Sequence, residues 1–215
     1  MTGLRDAVAS AGQDGFGGQA RHFVTDRLRF GLTTEQLIVR AANAVRAGVD
    51  VIQVRERDLP DRQLAALVRE IVVVTAGSKT RVVVNDRVDI AIVAGAAGVH
   101  LRGDSAPASR VRVLAPEGFL IGRSVHALAE VDAAVAGGGC DYLLFGTVFP
   151  SEGKPDGHPV AGLDGLAQAC ARAPLPVIAI GGMTDARADA VRQAGAAGFA
   201  AVGMFMCLTP LPVVV

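Results

Sequence analysis

The sequence predicts an α/β protein of the (β/α)8, or TIM-barrel, class, and three observations lead to that fold. First, the 215-residue chain is 51% hydrophobic and has 26 glycines but only 4% aromatic residues. This composition suits parallel strands that are covered on both faces. Second, one unit recurs along the chain: an amphipathic stretch, a stop of small residues, a short apolar run and a polar loop. Third, this unit provides the eight strands that a compact barrel requires.

The eight apolar runs are β-branched and mostly non-alternating, which is typical of strands buried on both sides. They span residues 22–26, 49–56, 81–86, 98–102, 119–126, 142–149, 177–183 and 198–205. Helical patterns lie between them, and the first, at 33–48, has Thr33 or Thr34 as its N-cap. A doubly wound open sheet is the structural alternative, but no GxGxxG motif follows the first strand.

The two ends of the chain are expected to depart from the repeating unit. Residues 1–21 are predicted to be a lead-in that is partly helical or disordered, and 22–215 a single barrel domain. After the eighth strand, 206–215 contain two prolines, so the last helix is predicted to be shortened or missing. The N-terminal segment could cover that position instead. The pentapeptide AGAAG at 94–98 and 194–198 predicts a tight turn from a helix into a strand.

Charge and cysteine content exclude several classes of function. Lys and Arg together number 21, as do Asp and Glu, so the net charge of +0 provides no footprint for nucleic acid or an anionic membrane. The three cysteines lack CxxC spacing, which favours a reducing cytoplasm over a disulfide framework or a metal cluster. No apolar run approaches the ~18–20 residues that span a bilayer, and a signal peptide is not expected. The sequence leaves the oligomeric state open, a homodimer included.

The unusual polar residues follow predicted strands, and in a barrel the carboxyl ends of the strands carry the chemistry. They are Gln53, Arg55 and Arg57 after strand two; Asn85, Asp86 and Arg87 after strand three; His100, Arg102 and Asp104 after strand four; Arg123, Ser124 and His126 after strand five; and Ser151, Gly153 and Lys154 after strand six. Strands seven and eight end instead in GGM (181–183) and AVGMF (201–205). Such bare backbone is the usual phosphate cup of the fold, and it predicts phosphate binding at Gly182 and Gly203.

A second anion site is predicted on the opposite arc of the same rim. Its donors are Arg55, Arg57, Asn85 and Lys154, and Asp86 with Asp104 could hold Mg²⁺. Two facing anion sites indicate a phosphorylated substrate and a pyrophosphate.

Each element of the rim also has a purely structural explanation. The arginines could pair with Glu56 and Asp58, the Asn85–Asp86 pair could cap a helix, and His100 and His126 could be satisfied core residues. The convergence of all of these residues on one rim favours a functional site.

At these residues the sequence resembles the thiamine phosphate synthase/TenI family over about 22–205. The matching motifs are QVRER (53–57), VNDRVDIA (84–91), GVHLR (98–102), IGRSVH (121–126), FGTVFPSEGKPD (145–156) and PVIAIGGMT (176–184). The resemblance implies a transferase of thiamine biosynthesis that couples hydroxymethylpyrimidine diphosphate with thiazole phosphate, using Mg²⁺, and releases pyrophosphate. Two alternatives are a thiazole tautomerase, an isomerase that acts on thiazole carboxylate phosphate without Mg²⁺, and a non-catalytic binding protein for thiazole or thiamine phosphate.

The resemblance also implies the role of each site residue. Arg55, Ser124, His126 and Lys154 are predicted to act in catalysis, Ser124 by orienting the pyrimidine and Lys154 by neutralising pyrophosphate from a mobile loop. The predicted substrate-binding residues are Gln53, Arg55, Arg57, Asn85, Ser124, Ser151, Lys154, Gly182 and Gly203. The predicted Mg²⁺ ligands are Asp86 and Asp104.

This chain departs from the family pattern at three places. Arg57 stands where synthases have lysine. After strand four the family reads HLGQxD and this chain reads HLRGDS, so the second Mg²⁺ ligand falls on Ser105. We expect Asp104, one residue early, to turn toward Asp86 because Gly103 permits unusual backbone angles. The motif GRSVH resembles tautomerases, in which the histidine at His126 moves the proton.

Overall fold

Eight parallel strands close into one barrel in the computed structural model, which describes residues 19–152, 154–155 and 157–207. The strands follow one another in chain order, and the last pairs with the first. This closure confirms the predicted (β/α)8 fold and excludes the open sheet, in which the two edge strands would stay unpaired. No helix in the described ranges is long and apolar enough to cross a membrane.

The strands and helices alternate as the repeating unit predicts. The strands are β1 Ala20–Val24, β2 Val51–Val54, β3 Arg81–Asn85, β4 Gly98–Leu101, β5 Leu120–Val125, β6 Tyr142–Gly146, β7 Val177–Ile180 and β8 Gly198–Ala201. The helices are α1 Thr34–Arg46, α2 Asp61–Thr75, α3 Val88–Val93, α4 Ala108–Leu114, α5 Leu128–Gly137, α6 Gly162–Arg172, α7 Asp185–Gln193 and α8 Gly203–Met206.

Local sequence signals explain where the elements begin and turn. Thr33 is the N-cap of α1: its hydroxyl accepts a hydrogen bond from the Gln36 amide at 3.3 Å, and the Gln36 side chain accepts one from the Thr33 amide at 2.9 Å. Both AGAAG segments form the predicted turn into a strand. The last glycine of the second, Gly198, lies against β1, where a Cβ atom would approach the carbonyl oxygen of Ala20 to 2.2 Å.

At the two ends of the barrel, the last helix is short as predicted, and the first strand begins earlier than predicted. The helix after β8 is α8, which has only four residues. β1 begins at Ala20, two residues before the predicted first strand. The predicted lead-in at 1–18, its proposed covering role and the tail at 208–215 lie outside the described residues.

Side chains along each strand point alternately outward and inward, and the two directions have different chemistry. The outward residues, such as Phe23, Ile52 and Leu143, pack under the helices in the main core. The inward residues at the amino ends are apolar, with Val51, Val83 and Leu120 in one buried cluster. Toward the carboxyl ends the inward residues become polar, and these form the candidate site.

Candidate active site

Polar side chains fill the upper half of the barrel interior, where the alternation of the strands places them. The inward positions that carry them are His22 on β1, Gln53 on β2, Asn85 on β3, His100 on β4 and Ser124 on β5. Three of these residues were predicted to bind substrate.

The first hydrogen-bonded chain joins two predicted substrate-binding residues. The Gln53 side chain, which is only 2% exposed, accepts a hydrogen bond from His22 Nε2 at 3.1 Å. Its amide nitrogen donates to the Asn85 side-chain oxygen at 3.0 Å. Because the Asn85 oxygen is engaged below, the Asn85 amide nitrogen is the group that can donate to a molecule at the rim.

The second chain fixes Ser124 from below. His100 Nε2 lies 2.9 Å from Ser124 Oγ, and His100 Nδ1 lies 3.1 Å from the Tyr142 hydroxyl. Burial, and secondarily the neighbouring His22, lowers the pKa of His100 well below its ordinary value. Burial also lowers the pKa of His22 to about 4, against the opposing hydrogen bond of Gln53. Both imidazoles are therefore neutral at physiological pH and act as positioning groups.

Arginines surround the rim above these two chains. The Arg55 guanidinium lies 3.3 Å from Asp26, and the main-chain amide of Arg55 donates a hydrogen bond to Thr25 Oγ1 at 2.9 Å. Burial, Arg55 and Arg102 lower the pKa of Arg57, while Asp86 and Asp26 oppose that shift. Arg57 therefore lies within electrostatic reach of two other guanidinium groups, those of Arg55 and Arg102.

A buried carboxylate holds the loop that presents Arg55. Glu56 is 3% exposed and accepts a hydrogen bond from Thr25 Oγ1 at 2.5 Å. It also accepts bonds from the Arg27 amide at 3.2 Å. The structural alternative had Arg55 and Arg57 paired with Glu56 and Asp58, but the guanidinium that contacts both of these carboxylates is that of Arg27. Arg55 pairs with Asp26 instead.

Asp86 has an unusual backbone conformation at the centre of the rim. Its φ of 62° is the only positive value among the described residues other than glycine. Such a conformation costs free energy in most residues and is often retained at functional sites. The Asp86 amide is held by the His100 carbonyl oxygen at 2.9 Å, so the loop after β3 is anchored to β4.

Contacts around Asp86 differ from the expected pair of carboxylates. The Ser105 hydroxyl donates a hydrogen bond to Asp86 Oδ1, and Arg102 Nη1 lies 3.6 Å from Asp86 Oδ2. The Asp104 side chain is 69% exposed and bonds Arg102 Nη2 at 2.5 Å. A Mg²⁺ site made of Asp86 and Asp104 stays a prediction, and these contacts do not favour it, since a guanidinium lies next to both carboxylates. No group of three or more His, Cys, Asp or Glu side chains in the described ranges could hold a metal.

The loop after β6 carries two of the predicted substrate-binding residues, Ser151 and Lys154. The Lys154 side chain is exposed, and its main-chain amide donates to the Ser151 carbonyl oxygen at 3.3 Å. Ser151 is half-buried, and its hydroxyl lies 3.5 Å from the carbonyl oxygen of Glu152.

The two glycines of the predicted phosphate cup differ in how closely they are packed. Gly182 has a φ of 60°, and a Cβ atom there would lie 2.3 Å from the Pro150 carbonyl oxygen. At Gly203 the nearest atom to such a Cβ would belong to the Phe30 ring at 3.9 Å, an ordinary van der Waals contact. Arg187, which sequence analysis missed, donates to the Gly182 carbonyl and stacks on the Phe149 ring, 4.6 Å from its centroid.

His126 lies on the fifth loop with one ring nitrogen engaged. Its side chain is exposed, and Nδ1 lies 2.6 Å from the Gly146 carbonyl oxygen. The main-chain amide of His126 donates to Glu130 at 2.8 Å. Because a carbonyl oxygen only accepts, Nδ1 must carry its proton, and Nε2 is the nitrogen that can exchange one.

Comparisons with known proteins show which family the chain resembles and support its fold. The profile of the family described as "Thiamine monophosphate synthase" matches residues 22–205. The thiamine-phosphate synthase of Methanoculleus marisnigri is 41% identical over 159 residues, which are 74% of this chain and 75% of that protein. The thiamine-phosphate synthase of a Roseiflexus species is 38% identical over 86% of this chain and 78% of its own length. A solved structure of thiamine phosphate pyrophosphorylase from Pyrococcus furiosus superposes with a TM-score of 0.77 and 28% identity, covering 96% of this chain and 91% of that one.

Proposed function

The chain belongs to the thiamine monophosphate synthase family, and we propose that it couples hydroxymethylpyrimidine diphosphate with thiazole phosphate to form thiamine phosphate. In this reaction the bond between the pyrimidine methylene carbon and the diphosphate oxygen breaks. The thiazole nitrogen forms the new bond to that carbon, and pyrophosphate leaves with the electron pair. The chemistry needs stabilisation of the leaving anion more than it needs a strong base.

The observation that carries this proposal is the group of guanidiniums at the rim. Burial, and then the like charges of Arg55 and Arg102, lower the pKa of Arg57, and the Arg102 guanidinium lies 3.6 Å from Asp86. A protein gains from such an arrangement when a multiply charged anion binds between the cations. Pyrophosphate is an anion of that kind.

The neutral chains below the rim are suited to holding the pyrimidine. Ser124, fixed by His100, offers a hydroxyl, and Asn85, fixed by Gln53, offers an amide nitrogen. These groups can bond the ring and its amino substituent while the methylene carbon faces the arginines. Such preorganised contacts reduce the entropy that must be lost on the way to the transition state.

The thiazole phosphate is assigned to the backbone at Gly182 and Gly203. Ser151 and Lys154 lie on the adjacent loop, which could close over both substrates and exclude water from the cationic carbon. The exposed position of Lys154 is consistent with a loop that reaches the pyrophosphate only after closure.

Mg²⁺, implied by the resemblance, would supply further charge neutralisation at the diphosphate. Asp86 is the carboxylate placed to hold it, but Ser105 and Arg102 occupy its two oxygens. The described donors therefore do not fit a site with two carboxylates. Cytoplasmic location and a homodimer remain predictions.

Incubation of the purified protein with both phosphorylated substrates tests the proposal. We expect thiamine phosphate and pyrophosphate to appear in equal amounts. Release of pyrophosphate without thiamine phosphate, or neither product under conditions that support a related synthase, would refute it.

One observation favours a second candidate, the thiazole tautomerase. The hydrogen bond from His126 Nδ1 to Gly146 leaves Nε2 able to take up a proton at the loop above β5. A tautomerase needs a general acid and base of this kind. Conversion of the thiazole tautomer without coupling would support this alternative.

A further inference from the structure

We propose that the Arg102 guanidinium takes the cation position beside Asp86, so that diphosphate binding in this protein does not require a divalent metal. The inference rests in part on the proposed function, because that function supplies the diphosphate. Its first half, the competition between Arg102 and a metal for Asp86, rests on contacts alone.

Those contacts place one guanidinium between two carboxylates. Arg102 Nη1 lies 3.6 Å from Asp86 Oδ2, and Arg102 Nη2 lies 2.5 Å from Asp104 Oδ2. The main-chain amide of Arg102 also donates to Ser105 Oγ at 2.8 Å, and that hydroxyl donates to the other oxygen of Asp86. Asp86 thus has a cation on one oxygen and a hydroxyl donor on the other.

Such an environment is unfavourable to a divalent ion. Mg²⁺ requires oxygen ligands with lone pairs directed at it, at about 2.0–2.1 Å. Here a hydroxyl proton points at one oxygen of Asp86, and a permanently charged guanidinium lies next to the other. A metal would have to displace Arg102 or bear the repulsion of a like charge a few ångströms away.

The same guanidinium is suited to a different task. Asp86 and Asp104 engage its two terminal nitrogens, and its side chain is 42% exposed. Arg102 also influences Arg57 across the rim. A guanidinium can bind phosphoryl oxygens through paired N–H groups, and its charge is not lost at any physiological pH. Arg102 therefore supplies at the diphosphate the positive charge that a metal would supply.

Binding of Mn²⁺, followed by its electron paramagnetic resonance signal, tests the first half directly. The proteins are the wild type, Arg102→Gln, the double variant Arg102→Gln/Ser105→Asp, and Arg172→Gln as a control. Arg172 has a side-chain exposure of 44%, close to the 42% of Arg102, and pairs with Asp132 on the outer surface. We expect Arg102→Gln to bind Mn²⁺ about 10-fold more tightly than wild type, because it removes a like charge near the surface. The double variant should bind more tightly still, and Arg172→Gln should behave as wild type.

Calorimetry with inorganic pyrophosphate tests the second half. Wild type should bind it in EDTA and in Mg²⁺ with dissociation constants within about 3-fold of each other, whereas Arg102→Gln should bind about 10-fold more weakly in EDTA and recover in Mg²⁺. Equal Mn²⁺ affinity of wild type and Arg102→Gln would overturn the proposal, as would wild-type pyrophosphate binding that disappears in EDTA. Neither measurement uses turnover. A protein that passes both but forms no thiamine phosphate would refute the proposed function alone, and a synthase that fails either would refute this inference alone.

Discussion

His126 Nδ1 donates a hydrogen bond to the main-chain carbonyl oxygen of Gly146 across 2.6 Å, which joins the end of β5 to the end of β6. This contact fixes the tautomer of the ring and leaves Nε2 as the proton-exchanging atom. The synthase and the tautomerase would use that atom differently, so His126 separates the two candidate functions.

We predict that His126→Ala leaves coupling within about 3-fold of wild type, because ionisation of the diphosphate needs no general base. A tautomerase would lose about 10²–10⁴-fold in the same variant, since it would lack its acid and base. Both activities should be measured in one preparation. His158→Ala is the control because it also removes one imidazole, in this case from the loop after β6. The His158 ring is half-buried there and contacts Thr147 at 3.3 Å. A large loss of coupling in His126→Ala alone would contradict the synthase mechanism given above.

Asp86 combines a strained backbone with a central charge, and substitutions can separate the two. Its φ of 62° is readily adopted by glycine, tolerated by asparagine and unfavourable for alanine. We predict that Asp86→Asn and Asp86→Gly unfold near the wild-type temperature, whereas Asp86→Ala loses about 1 kcal/mol. All three should lose about 10²-fold in coupling, because each removes the carboxylate that holds Arg102. Thermal unfolding and initial rates of the three proteins check this, and full activity of Asp86→Asn would show that the charge has no role.

The two glycines of the phosphate cup give a matched pair of substitutions. A Cβ atom at Gly203 meets nothing closer than 3.9 Å, so Gly203→Ala should fold as wild type. If its backbone amide faces the thiazole phosphate, the added methyl group should raise KM for that substrate about 10-fold. Gly182→Ala should instead lower stability, because its Cβ would lie 2.3 Å from the Pro150 oxygen at a φ of 60°. An unchanged KM in a folded Gly203→Ala protein would remove Gly203 from the cup.

Much of the fold and part of the site follow from the sequence, because both depend on strand periodicity. Side chains two apart share a face of a strand, so Gln53 on β2 could be assigned to the same inward face as Arg55 and Arg57, which follow it in sequence. The eight strands were identified within a few residues because apolar runs alternated with clear turn signals.

The remaining features depend on contacts between loops, which have no periodicity. Gly103 permits several paths for the loop after β4, and the observed one directs Asp104 to Arg102 and Ser105 to Asp86. Arg187 was missed because it lies in the first turn of α7 and does not end a strand. The available signal in the sequence was the position of Arg187 a few residues after Gly181 and Gly182, at the predicted phosphate cup.

The buried histidines make the stability of the barrel depend on pH. Burial lowers the pKa of His22 to about 4 from 6.5, and it lowers the pKa of His100 as well. Because the folded state disfavours the charged form, this contribution to stability is complete above about pH 6.5 and is lost as the pH falls toward about 4. For His22 alone the loss amounts to about 3 kcal/mol.

Two carboxyl groups change the stability of the barrel in the opposite direction over part of that pH range. Burial raises the pKa of Glu56 and of Asp50, so their contribution to stability is greatest at low pH and is lost as the pH rises through the folded-state pKa. A comparison of His22→Gln with wild type therefore isolates the contribution of the histidine to stability better than the pH profile of wild type alone does. We predict that the free energy of unfolding of His22→Gln falls less between about pH 6.5 and about pH 4 than that of wild type, by about 3 kcal/mol. Urea unfolding of both proteins across this range measures the difference, and parallel profiles would show that His22 can be charged inside the folded barrel at no cost.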